Sequence, residues 1–244
     1  MAGDSLDRAK QAVRMQVWDA LTAADAVHDP SVHGRIPNFK GAEDAASRLA
    51  EHPAWDRADV VKAVPDKAQL PVRVRALEDG KTVYMAVPKL ATPKPFYLLD
   101  PATLTIPPTE AAASRIAATI APTVEVDAIR PLDLIVLGSV AVNRDGARIG
   151  KGAGYSDIEF ALLTEAGLVT PETVVVTTVH ALQVTETPIP TTEHDVSVDL
   201  IVTPDETVTC PNPHRPSGVD WSALTSAKIA AIPALVARQR TCPP

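Results

Sequence analysis

Between Gly146 and Asp157 the chain reads Gly-Ala-Arg-Ile-Gly-Lys-Gly-Ala-Gly-Tyr-Ser-Asp, and five of its eleven glycines fall between Gly138 and Gly154. Gly150, Gly152 and Gly154 alternate, so nothing larger than hydrogen projects at every second position and a phosphate can approach the main chain closely. Arg148, Lys151, Tyr155 and Asp157 stand among these glycines. Two familiar phosphate motifs fail on spacing. A Walker A loop needs four residues between its first Gly and Gly-Lys-Ser/Thr, whereas Gly146 and Gly150 are separated by three and Lys151 is followed by Gly152. The Rossmann fingerprint needs its glycines directly after a strand, and here they come a dozen residues later.

Two elements must position this loop. Leu132–Leu137 is an apolar run that reads as a buried strand, and Ile158–Leu168 is amphipathic and reads as a helix. Strand, glycine loop and helix place backbone N–H groups and a helix N-terminus around an anionic ligand. Ser156 or Asp157 stands where a side chain would cap that helix.

Composition bounds the remaining choices. The 244 residues suffice for one substantial α/β domain, and a 45% hydrophobic content supports a core built mainly from Ala, Val, Leu and Ile. A net charge of −7 argues against a nucleic-acid binder, whose domain is usually basic. Cys210 and Cys242 have neither zinc nor disulfide-framework spacing, and the six histidines offer no partner set for zinc. No signal-peptide core follows the charged N-terminus and no apolar run is long enough to span a membrane, so a cytoplasmic protein with no membrane or nucleic-acid partner is expected.

In chain order, residues 5–27 have helical periodicity, with Lys10 and Arg14 one turn apart on one face. Phe39 lies between Arg35 and Lys40, an arrangement that suits stacking on a pterin or purine ring but equally suits a hydrophobic anchor for its loop. An Ala-rich helix follows at 42–50. Runs at 59–64, 71–77 and 82–87 read as strands, the last two as a hairpin across Glu-Asp-Gly-Lys. Prolines punctuate an irregular connection around Phe96–Leu99, and a helix runs from Thr109 to Ile120. Thr173–Val179 and Val198–Thr203 read as strands. Residues 205–218 read as a Pro-rich loop, and an amphipathic helix begins near Val219. Alternating strands and helices imply a three-layer α/β/α, Rossmann-like domain with a mostly parallel sheet. It spans residues 1–204, with the loop and helix of 205–244 packed on it, covering a sheet edge or a homodimer face.

The glycine stretch resembles the signature of the 5-formyltetrahydrofolate cyclo-ligase family, a strand followed by G-x-x-F-D and G-x-R-L-G-x-G-x-G-Y-Y-D-R. Gly138, Gly146, Arg148, Ile149, Gly150, Gly152, Gly154, Tyr155 and Asp157 match it. Val142-Asn143, Ser156 and Ile158 depart from it, and Ala153 sits at a position that varies. Pro190 to Thr203 also matches the family's closing pattern, so the resemblance covers residues 8–204. It implies the cyclo-ligase fold, with ATP and Mg²⁺ as cofactors and a reduced folate or related heterocycle as substrate. Lys10, Arg148 and Tyr155 would then be catalytic. Arg14, Gly146, Gly150, Lys151, Gly152, Ala153, Gly154 and Asp157 would hold the nucleotide, Phe39 the substrate, and Asp157 with Asp195 the metal. The implied reaction converts 5-formyltetrahydrofolate to 5,10-methenyltetrahydrofolate through a phosphorylated imidate.

The segment Arg35-Ile-Pro-Asn-Phe-Lys-Gly41 and the tail around Pro216–Trp221 are more similar to a diverged cyclo-ligase-like branch. Where the family carries a substrate-binding Glu, this chain has Gln69-Leu-Pro-Val-Arg73. The branch implies nucleotide binding without folate cyclisation and a link to thiamin metabolism. A loop for another phosphorylated metabolite, such as a sugar phosphate, remains a third alternative.

Overall fold

The computed structural model describes residues 2–241; Cys242 lies outside them. The chain opens with α1 (Ala2–Ala23), α2 (Ala42–Ala50) and α3 (Pro53–Asp56), then enters β1 (Val60–Ala63). Next come α4 (Leu70–Glu78), β2 (Thr82–Ala86), β3 (Phe96–Leu99), α5 (Pro108–Ala111), α6 (Ser114–Ile120) and β4 (Thr123–Val124). The central stretch holds β5 (Leu134–Leu137), β6 (Ala141–Asn143), β7 (Arg148–Ile149) and α7 (Tyr155–Glu165). The last part is β8 (Val174–Thr178), β9 (Val184–Thr185), β10 (Leu200–Val202), β11 (Thr207–Thr209), α8 (Ser226–Ala230) and α9 (Pro233–Thr241).

Eight strands form one sheet in the order β11-β10-β8-β5-β1-β2-β3-β4. The inner pairs β10–β8, β8–β5, β5–β1 and β1–β2 are parallel, and the antiparallel pairs lie towards the two edges. The inner parallel strands β1, β5, β8 and β10 are buried along nearly their whole length because both faces are covered, and they are mostly apolar, with Lys62 in β1 and Thr177 and Thr178 in β8 the polar exceptions. One face packs Ile135, Leu137 and Ile201 against Phe160, Leu163 and the C-terminal Ile232 and Leu235. The other packs Val61, Leu134 and Val136 against Leu49 of α2 and Val72, Ala76 and Leu77 of α4. The result is the expected α/β fold with a mostly parallel sheet between helices. A smaller sheet, β7-β6-β9, stands beside it and takes Val17, Trp18 and Leu21 of α1.

The structure corrects several element assignments. Residues 71–77 are the helix α4, and β2 runs parallel to β1, so no hairpin forms. The Val-Arg alternation mimics a strand, but Val72, Arg73, Ala76 and Leu77 are the buried set, which is one helical face. Phe96–Leu99 is a strand paired antiparallel with β2. The helix expected from Thr109 to Ile120 is interrupted between Ala111 and Ser114. β6 and β7 form a short antiparallel pair inside the expected loop. In the tail, β11 pairs with β10 across the 204/205 boundary, and the final helix is broken before Pro233 because proline has no N–H to continue it.

Candidate functional site

The chain reverses its winding direction between β1 and β5: from β1 it proceeds to β2 on one side, and from β5 to β8 and β10 on the other. In open parallel sheets ligands bind outside the carboxyl ends of the strands at such a switch point. A cleft of about 670 Å³ lies there, with Val64–Asp66 beyond β1 and Gly138 beyond β5 on its wall. Asp7, Lys10 and Arg14 of α1 form a second wall, and the chain from Arg148 to Glu159 a third.

The glycine loop is held from behind by α1. Arg14 donates from Nε to the Gly150 carbonyl at 2.7 Å and from a terminal nitrogen to Gln11 Oε1 at 3.2 Å. Gly152 has φ +99°, and a Cβ there would stand 3.5 Å from the Arg14 guanidinium carbon. That is ordinary van der Waals contact, so it is the left-handed backbone that calls for glycine here. Burial presses the Arg14 pKa down while Asp7 and Asp195 oppose it. No carboxylate pairs with Arg14 among the described residues.

Arg148 is 3% exposed and donates to Asp157 Oδ1 at 3.1 Å, while its Nε is buried without a hydrogen-bond partner among the described residues. Buried donors are nearly always satisfied, so an orphan on a cleft-lining guanidinium points to a missing partner. Lys10 donates to Asp195 Oδ2 at 2.5 Å, and the same oxygen accepts from the Thr192 N–H and hydroxyl. Burial alone would raise the Asp195 pKa; the Lys10 and Thr192 bonds outweigh it and hold the carboxyl below its ordinary value. Asp157 Oδ1 also accepts from Val196 N. All these bonds fall on one oxygen of each carboxylate, so Asp157 and Asp195 each keep an oxygen free among the described residues.

Lys10, Arg14, Arg148, Gly150, Lys151, Gly152, Ala153, Gly154, Tyr155, Asp157 and Asp195 therefore converge on one cleft. Two expected residues do not join them. Gly146 is a turn glycine away from the cleft: its φ is +91°, and a Cβ would meet the Val198 carbonyl at 2.3 Å. Phe39 is fully buried among Ala42, Ala45 and Ala68, with its ring edge-on to His180, so of its two readings this placement fits the loop anchor. Gly154 takes the cap position of α7 at φ +68°, which puts Asp157 in the first turn, where a carboxylate favours the positive end of the helix.

Sequence reasoning missed part of the lining. Asp66 stands 3.5 Å from Lys151 across the cleft mouth. Glu159 lines the floor and forms an ion pair with Lys62, an almost wholly buried lysine in the middle of β1. Its signal was a charge inside each of two apolar runs. Lys89 reaches the cleft from a corner after β2 where it and Leu90 both have positive φ, +61° and +51°. Residues 218–228 of the tail supply a fourth wall. No cluster of three or more His, Cys, Asp or Glu able to hold a metal occurs among the described residues.

A family model described as the 5-formyltetrahydrofolate cyclo-ligase family matches residues 7–204. Over 237 residues the chain is 38% identical to the methenyltetrahydrofolate synthase domain-containing protein of Mus musculus, covering 93% of this chain and 62% of that one. The Homo sapiens protein of the same name is 35% identical over the same length, with 93% and 60% covered. The chain thus spans about three fifths of the length of these curated relatives. Among solved structures, the NMR structure of Aquifex aeolicus 5,10-methenyltetrahydrofolate synthetase superposes with a TM-score of 0.54 at 22% identity, covering 83% of this chain and 93% of that one. At that identity the likeness is one of fold.

Proposed function

The chain belongs to the 5-formyltetrahydrofolate cyclo-ligase family, and from this premise we propose that it is an ATP- and Mg²⁺-dependent ligase closing a 5-formyl reduced folate to its 5,10-methenyl form. The observation that carries the reading is the convergence of Lys10, Arg14 and Arg148 on the glycine loop in one cleft, with the buried Arg148 Nε unsatisfied among the described residues. A triphosphate brings the missing acceptors. Phosphoryl transfer asks little covalent chemistry of the protein; it needs fixed cations and N–H donors around the transferring group.

In the proposed reaction the formyl oxygen attacks the γ-phosphorus of ATP and ADP leaves. The neighbouring N–H nitrogen then attacks the formyl carbon, and phosphate departs with the former formyl oxygen and the proton that this nitrogen gives up. Lys10 and Arg148 stabilise charge on the transferring phosphoryl group, Arg14 holds the loop through Gly150, and Tyr155 borders the reacting end. Mg²⁺ in nucleotide sites commonly takes one or two carboxylates, with phosphate oxygens and water completing the shell. The free oxygens of Asp157 and Asp195 suit that donor set, and the ion would supply charge neutralisation on the phosphates.

A second reading is favoured by a specific observation. Gln69, in the segment where a substrate-binding Glu is expected, is fully buried and donates to Thr178 instead of lining the cleft. On that reading the phosphate site is kept and the heterocycle is not a folate. The deciding experiment mixes the protein, Mg-ATP and 5-formyltetrahydrofolate and follows the methenyl chromophore. Stoichiometric, ATP-dependent chromophore supports the ligase; tight ATP binding without chromophore sinks it in favour of the second reading.

A further inference from the structure

The family model ends at residue 204, yet Gly218, Val219, Asp220, Leu224, Thr225 and Lys228 line the cleft. This part of the tail is fastened to α7 and the glycine loop by specific contacts. The Val219 N–H donates to Glu165 Oε1 at 2.9 Å, and a Cβ at Gly218 would press on the same Glu165 side chain at 2.9 Å. Asp220 Oδ1 accepts from the Ser222 and Ala223 N–H groups, which folds the turn that carries Leu224 into the cleft wall. Thr225 then caps α8 by accepting from Lys228 N at 3.1 Å.

Lys228 is the outcome of that arrangement. Its ammonium donates to the Ala153 carbonyl at 2.8 Å and lies 3.6 Å from the centroid of the Tyr155 ring. It therefore sits on the glycine loop itself, between two residues that line the cleft. No carboxylate pairs with it among the described residues, so carbonyl and ring dipoles hold a charge that no anion neutralises. Cation–π and carbonyl contacts orient an ammonium without cancelling its charge.

We infer that Lys228 is a ligand-binding cation of the cleft, and that residues 218–228 are a wall of the site and not a cover for a sheet edge. Its target is a polyphosphate anion seated on the glycine loop, so the inference rests on the triphosphate reading above. The tail adds a cation, unpaired among the described residues, to a cleft in which Lys10 shares its charge with Asp195, Arg148 with Asp157, and Lys151 faces Asp66. Leu224 and Val219, both half-buried, stand on the same wall beside it.

The test is calorimetric titration of the full chain with inorganic tripolyphosphate and with Mg-ATP, for wild type, Lys228→Met, Lys228→Arg and Lys228→Gln. Loss of a charge-assisted contact to phosphate weakens binding by about tenfold or more. The Met and Gln variants should both show that loss, Arg should restore most of it, and all should melt close to wild type. Wild-type affinity in Lys228→Met and Lys228→Gln overturns the inference and leaves the triphosphate reading standing. Equal losses in Met, Gln and Arg, with a lowered melting temperature, assign Lys228 to loop scaffolding and also overturn it. Wild type that binds neither tripolyphosphate nor ATP overturns the triphosphate reading, and the inference falls with it.

Discussion

Arg73 and Arg148 have the same side chain and almost the same exposure, 1% and 3%, but different surroundings. Arg73 lies on α4 behind the sheet and spends its donors on backbone carbonyls: Ala112 at 3.0 Å, Val64 at 2.6 Å and Asp66 at 3.0 Å. Burial pushes its pKa down to about 10, against the opposing charge of Asp66. Arg148 lies on the cleft wall, donates to Asp157 and has no partner for Nε among the described residues. A buried cation by itself does not mark a site. What separates the two is where their donors go: Arg73 is spent on the scaffold, and Arg148 is held back.

The comparison fails first if Arg73 proves dispensable. Arg73→Met takes the guanidinium away from three carbonyls, of which that of Asp66 keeps the Gln69 N–H while those of Ala112 and Val64 lose the arginine donor. Unsatisfied buried groups cost about 1–3 kcal/mol each, so a loss of roughly 3–5 kcal/mol in denaturant unfolding is expected. A change below about 1 kcal/mol would show that water or neighbouring groups take over those carbonyls. Phe39→Ala should lose about 3 kcal/mol, because a fully buried ring leaves a cavity. Its affinity for tripolyphosphate should stay at the wild-type value; a pterin-specific loss without a stability loss would return Phe39 to the substrate site.

Arg148→Met should behave in the opposite way. If Arg148 meets a phosphoryl group as proposed, removing its guanidinium is expected to weaken triphosphate binding about a hundredfold. The melting temperature should move little, since the orphaned Nε disappears with it. A large stability loss at constant affinity would place Arg148 beside Arg73 as scaffold and dissolve the contrast.

A smaller effect concerns pH. The Asp195 carboxyl is held below its ordinary pKa: burial works against this, and the Lys10 and Thr192 bonds prevail. A depressed carboxylate pKa gives stability that is present above the unfolded value, about 4, and is lost as pH falls through the folded one. Asp195→Asn should therefore be less stable than wild type at pH 7, and the gap should close in acid below about pH 4. A gap that does not narrow at all as pH is lowered below about 4 would show that the hydrogen bonds of Thr192, not the charge on Asp195, carry the contribution.

The same contrast explains what could be read in the sequence. The glycine loop was legible because Gly150, Gly152 and Gly154 carry their meaning locally, in spacing and in the absence of side chains. Lys10, Arg14 and Asp195 came with the family motif, and the fold places them around that loop. Arg73 is the obstacle in α4: a buried arginine is polar by residue type, so a helical face looks like strand alternation. Lys62 and Glu159 stood as single charges in apolar runs, and nothing short of the packing of α7 on β1 reveals that they meet. Lys228 lies 75 residues from Ala153, and neither residue's neighbours announce the contact. Short-range chemistry was legible; pairings made by tertiary packing were not.

Lys89 offers the smallest and sharpest test, because its strain and its charge can be separated. Its backbone sits at φ +61°, and the next residue, the buried Leu90, at φ +51°. A non-glycine residue in the left-handed region costs on the order of 1 kcal/mol, and such strain persists where the surrounding structure enforces it. Pro88, fixed before Lys89, and Leu90, buried in the core after it, provide that enforcement and leave Lys89 on the cleft wall. Lys89→Gly removes both strain and charge, while Lys89→Asn keeps a residue tolerant of this conformation and removes only the charge. If the corner exists to present a cation, both variants should lose a few-fold in tripolyphosphate affinity at low salt, where exposed charges act most strongly. Lys89→Gly should in addition match or exceed wild type in stability. Unchanged affinity in both, with Lys89→Gly the more stable, would make the strain a consequence of burying Leu90, and Lys89 would join Arg73 on the scaffold side of the comparison.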